Sequence, residues 1–77
     1  MIDEATLAGL LRRSIPDAQV EVFDLTGTMD HLRVSVRSRA FAGASLLDRH
    51  RMVEAALREA RADGRIHALE IRTEVLE

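Results

Sequence analysis

The feature that most constrains this chain is one amphipathic stretch over residues 46–60 that ends at a glycine stop and runs into a strand. Leu46, His50, Val53, Leu57 and Ala60 recur at spacings of four, three, four and three, and Leu47, Met52 and Ala56 widen the stripe. This period predicts one buried face on a helix of roughly four to five turns. Ser45 stands just before the run and Asp48 follows three residues later. That is the spacing of a capping box, with Asp as a shorter substitute for Glu or Gln. Arg58 and Arg61 fall in the last turns, where cations suit the negative end of the helix dipole. Asp63-Gly64 then supplies the stop, with Gly64 free to take the left-handed conformation. A helix with one apolar face must bury it on another element, so the rest of the chain has to supply that surface.

The upstream half does so in three pieces. Residues 3–13 read as a helix with Asp3 as its N-cap and Leu7, Leu10 and Leu11 as its stripe. Pro16 ends it by forcing Ile15 out of helical geometry. Residues 18–25 alternate as a strand, with Ala18, Val20 and Val22 on one side. Residues 26–30 are short enough for a hairpin, which makes the next strand antiparallel. In that strand, residues 31–37, Leu32, Val34 and Val36 face one way and His31, Arg33, Ser35 and Arg37 the other. Residues 38–44 form the loop into the long helix. After it, residues 66–75 read as the third strand, with His67, Leu69, Ile71, Thr73 and Val75 of one parity and Ala68, Glu70 and Arg72 of the other.

The order is helix, strand, strand, helix, strand. It predicts a single α/β (α+β) domain over residues 1–77, and the order resembles a small KH-like domain of class II type. Two helices should lie on one face of a three-stranded mixed sheet. The strand–helix–strand crossover makes the second and third strands parallel, with a right-handed connection.

Composition narrows the function. A chain of 77 residues has room for one small core. There is no Cys, which excludes a disulfide framework and any cluster held by this chain's own thiolates. The net charge of −2 gives no polyelectrolyte field for nucleic acid. No run approaches the ~18 apolar residues of a membrane span, and no signal peptide is visible, so the expected address is cytoplasmic. No nucleophile–base pair, phosphate loop or paired carboxylates stand at a telling spacing, and the expectation is a protein that is not an enzyme.

Chemistry concentrates on the histidines. His31 opens the second strand and His67 the third, and parallel neighbours about 4.8 Å apart would bring both to one end of the sheet. The hairpin connection and the Asp63-Gly64 stop reach the same end. His50 lies roughly 21 Å along the helix from that stop, so one three-histidine site is not expected. His50 reads instead as a half-buried packing residue. A rival surface is basic: Arg33 and Arg37 on the polar face of the second strand, Arg39 just beyond, and Arg49 and Arg51 at the start of the long helix. Such a cluster could meet phosphates, including those of DNA. Against it stand the 13 acidic residues, the absence of a Gly-x-x-Gly clamp, and the two Phe, which the core is expected to take.

Three blocks occur together in order: Phe41-x-Gly43-x-Ser45, Arg49-His50-Arg51-Met52-Val53, and Ile66-His67-Ala68-Leu69. With the His31-Leu32-Arg33-Val34 strand entry, they resemble the BolA family. The resemblance implies the KH-like fold and a histidine ligand, here His67, to a [2Fe-2S] cluster shared with a monothiol glutaredoxin whose cysteine and bound glutathione supply thiolates. It implies a role in iron–sulfur cluster assembly or iron homeostasis. No cofactor is expected for the isolated chain, which would be a monomer or weak homodimer and not a membrane protein. Many members offer a second Cys or His from the loop before the second strand. This chain has Thr26-Gly27-Thr28-Met29-Asp30 there, and His31 is the nearest candidate for a second ligand. Some members are described as transcriptional regulators, which is the alternative reading through Arg33, Arg37 and Arg39. The family usually continues past its third strand with Thr-Pro and an aromatic residue, where this chain has Thr73-Glu74-Val75-Leu76-Glu77.

Overall fold

The computed structural model describes residues 2–28 and 31–76. Its first helix, α1 (Glu4–Ser14), begins where the sequence places it: the Asp3 carboxylate accepts the Thr6 N–H at 2.7 Å. Ile2 and Leu7 stand on either side of that cap, at the positions a hydrophobic staple uses, and both are buried. The alternating segments form β1 (Gln19–Asp24) and β2 (His31–Ser38), paired antiparallel with Val22 opposite Val34. After the helical crossover, β3 (Ala68–Val75) pairs parallel with β2, Leu32 beside Leu69 and Val34 beside Ile71. The sheet order is β1-β2-β3, so β1 and β3 are both edges.

The crossover is not one helix. It divides into α2 (Leu46–Ala56) and α3 (Arg58–Ala62), with Leu57 between them at φ −103°, ψ 10°. The Leu57 N–H is shared between the carbonyls of Val53 and Glu54, both at 3.2 Å, which tightens the turn. The gain is in packing: Val53, Leu57 and Ala60 are all fully buried across the break. The N-cap is as expected, with Ser45 Oγ accepting the Asp48 N–H at 3.1 Å. Gly64 takes the left-handed conformation at φ +85°.

The apolar core joins Leu7 and Leu11 of α1 to Leu32, Val34 and Val36 of β2 and to Val53, Leu57 and Ala60 of the crossover. Residues 38–44, expected as plain loop, contain a 3-10 turn over Arg39–Phe41 that carries Phe41 wholly into the core. That turn is held by a polar clasp. The Ser38 hydroxyl, fully buried, donates to Asp17 at 2.5 Å and accepts the Ala40 N–H at 3.0 Å; the Arg39 N–H donates to the other Asp17 oxygen at 2.8 Å. The Ser38 hydroxyl, and then the Arg39 amide, hold the Asp17 carboxyl below its ordinary range.

Three further expectations need correction. Leu46 and Leu47 are not part of the buried stripe: they are 63% and 59% exposed, because the first turn of α2 projects beyond the surface its later turns cover. His50 of the same stripe, by contrast, is half-buried as expected. Phe23 is not a core residue; it sits opposite Arg33 on the sheet face away from the helices and is 46% exposed. The third strand starts at Ala68 rather than residue 66, because the Ile66 N–H is taken by the Ala60 carbonyl at the helix end. Among the described residues, no helix is long and apolar enough to cross a membrane.

Candidate functional site

The histidine rim follows directly from the parallel register. β2 begins at His31, whose partner on β3 is Ala68. His67 is therefore the residue just before the ladder, at the bend where the chain leaves Ile66. Ile66 is buried and pinned to the helix end, so His67 has its backbone fixed on both sides, by the core behind it and the sheet ahead. Its side chain is exposed, and that of His31 is half-buried. The two rings meet edge to face, with centroids 6.0 Å apart and planes at 79°. Proximity expected from topology alone is thus realised as a ring contact.

The hairpin connection reaches this end through Leu25, whose N–H donates to the His31 carbonyl at 2.9 Å. Asp24 organises the turn by accepting the Gly27 N–H at 2.9 Å, and Gly27 takes φ +81°. Met29 and Asp30 of the connection lie outside the described residues. The carboxylate expected at the rim, Asp63, is engaged by its neighbour: Arg65 Nε stands 2.9 Å from it and the Arg65 N–H donates to it at 3.0 Å.

The donor set can be tested against a metal. Two imidazoles on one tetrahedral ion, with metal–nitrogen bonds near 2 Å, have ring centres roughly 5 Å apart. The observed spacing is about 1 Å wider, within reach of small side-chain rotations. Among the described residues, no group of three or more His, Cys, Asp or Glu side chains is arranged to hold a metal ion. The described residues offer at most a partial shell, and the chain has no Cys to add a thiolate to it. His50 is on α2 and outside this pair, as its distance along the helix predicts.

The basic surface looks different once the register is known. Arg33 and Arg37 lie on the open sheet face beside Glu70 and Glu74 of β3. Each approaches its glutamate at 3.4 Å through Nε. These are exposed pairs of small individual worth, yet they neutralise the strand that a phosphate backbone would have to meet. Arg39 belongs to the 3-10 turn, not to the strand face. Arg49 donates from Nε to the Ala44 carbonyl at 3.1 Å and so ties α2 to its own lead-in. The register that pairs arginine with glutamate was the one piece that residue parity alone did not supply.

Comparison with known proteins agrees with this architecture. A family model described as BolA-like protein matches residues 12–77. The chain is 37% identical over 73 residues to Protein BOLA2 of Arabidopsis thaliana, covering 94% of this chain and 76% of that protein. It is 31% identical over 72 residues to an uncharacterized protein, RP812, of Rickettsia prowazekii, covering 94% and 92%. Among solved structures, BolA1 from Arabidopsis thaliana superposes with a TM-score of 0.80 at 26% identity, over 96% of this chain and 94% of that one. The BolA domain of SufE1 from the same plant gives 0.78 at 25% identity, over 97% and 95%. A match to the family model over most of the length, carried by the same fold and by relatives above 30% identity, means that the chain belongs to the BolA-like proteins.

Proposed function

We propose that this BolA-like chain is a non-enzymatic partner of a monothiol glutaredoxin, and that together with glutathione they hold or pass on a [2Fe-2S] cluster. His67 is the ligand from this chain and His31 the candidate second ligand. The observation that carries the reading is the exposed His67 ring, fixed at the mouth of β3 and in edge contact with His31. A neutral imidazole is a good iron ligand near neutral pH, and histidine can replace cysteine at one iron of such a centre. His67 is exposed, follows the buried Ile66 directly, and has its ring edge to face with that of His31. The chain has no Cys, which is consistent with thiolate donors supplied by the partner.

The test is to mix the purified protein with a cluster-loaded monothiol glutaredoxin and glutathione and to record the visible circular dichroism spectrum. A new spectrum with a one-to-one complex is expected, lost in His67→Ala and altered in His31→Ala. Because the His67 side chain is exposed, its removal should leave stability within about 0.5 kcal/mol. An unchanged spectrum on mixing, or one that His67→Ala leaves intact, would remove the assignment. DNA binding through Arg33, Arg37 and Arg39 would then become the leading alternative, read by its salt dependence.

A further inference from the structure

Among the described residues no strand pairs with the outer edge of β3, and three features there point to one kind of occupant. The first is the edge itself. Among the described residues β3 pairs only with β2, so alternate residues along Ala68–Val75 turn backbone N–H and C=O groups away from the sheet. The second is incomplete cover. Leu69 and Ile71 of β3 are only half-buried, whereas their β2 partners Leu32 and Val34 are wholly buried. The crossover helices shield the β2 row and leave an open groove along β3, floored by Leu69 and Ile71. The third is charge. The helical wall of that groove carries Arg51, Arg58 and Arg61 against Glu54 alone, in a chain whose overall charge is −2. On the opposite face of β3, Glu70 and Glu74 are already beside Arg33 and Arg37.

We propose that the edge of β3 binds an acidic, extended peptide segment of a partner protein. The segment would add as a fourth strand, with carboxylates on its helix side against Arg51, Arg58 and Arg61. Strand addition uses the backbone groups for affinity and the alternating side chains for selection. A second copy of this chain fits poorly, because pairing two β3 edges would bring the arginine walls of both copies together. Single-stranded nucleic acid also fits poorly: Phe41 is buried and Phe23 lies on β1 at the other edge, so no aromatic ring lines the groove for a base to stack on. The proposal stands independently of whether the histidines carry metal.

The probe is a short fluorescein-labelled peptide alternating glutamate with valine, titrated into isotope-labelled protein and followed by amide chemical shifts and anisotropy. Shifts should concentrate in β3 and in α2 and α3. A peptide of the same sequence methylated on alternate backbone nitrogens keeps its charge and loses its donors, and should fail to bind. The double variant Arg58→Glu, Arg61→Glu changes two exposed residues and should weaken binding roughly tenfold, with the free protein's spectrum otherwise preserved. The proposal is overturned by any of four results. These are no binding at millimolar peptide, equal binding of the methylated peptide, tighter binding of oligothymidylate to the same amides, or self-association through β3 without peptide.

Discussion

Truncating Leu57 to alanine tests how the crossover is anchored. Leu57 sits at the junction of α2 and α3 and is fully buried, so the substitution deletes three buried carbon atoms. At about 0.8 kcal/mol each the transfer loss is about 2.4 kcal/mol, and the residual cavity raises the cost to about 3 kcal/mol. Leu46 occupies the same helical stripe in the sequence but is 63% exposed, so Leu46→Ala should cost less than about 0.5 kcal/mol. A domain of this length has roughly 4–12 kcal/mol of total stability, so the first change is severe and the second hardly visible. Urea unfolding followed by far-ultraviolet circular dichroism separates them. With a slope of about 1 kcal/mol per molar, the midpoint should fall by about 3 M for Leu57→Ala and by under about 0.5 M for Leu46→Ala. Similar shifts for the two variants would refute the claim that the stripe ends short of Leu46.

Two further outcomes follow from local geometry. Asp17 is held below its ordinary range by Ser38 and Arg39, so its native carboxylate stabilises the fold above the unfolded pKa, and this contribution is lost as the pH falls through the folded value. Asp17→Asn should therefore melt below the parent near about pH 6, and the gap should close as both are taken to strongly acid pH; a gap constant with pH would count against the clasp. At Gly64 an added Cβ meets nothing within 4 Å, yet φ is +85°, so Gly64→Ala should cost about 1 kcal/mol of backbone strain, with Gly64→Asn costing less. Equal melting temperatures for the parent and the alanine variant would show that the stop tolerates an ordinary residue.

Much of the frame was legible because it rests on local rules. Asp3 and Ser45 cap their helices through their own side chains, Pro16 and Gly64 stop them, and the strand alternation in β2 survives residue by residue. The meeting of His31 and His67 was legible too, since a parallel crossover must bring two strand entries to one end. What escaped was set by neighbours far away in the chain. Periodicity says which way Leu46 faces but not how far the opposing surface extends. Phe23 is the exception: its parity with Gln19 and Glu21 already sent it to the open face, where it stands opposite Arg33. Ser38 looks like an ordinary loop residue until Asp17 arrives to accept its hydrogen bond. Likewise, parity made Arg33 and Arg37 look like a basic surface, and only the register with β3 supplied Glu70 and Glu74.

The pairing of β2 with β3 is non-local: Arg33 and Glu70, side by side in the sheet, are 37 residues apart in sequence. His31 and His67 therefore become neighbours only when the crossover has closed. In the unfolded chain the pair does not exist as a site. Any ligand that needs both rings binds the native state alone, and by mass action it raises the unfolding free energy by RT ln(1 + [L]/Kd). Loading such a ligand would act as a removable crosslink between the two strand entries, so the thermal stability of this domain would report the occupancy of its histidine rim.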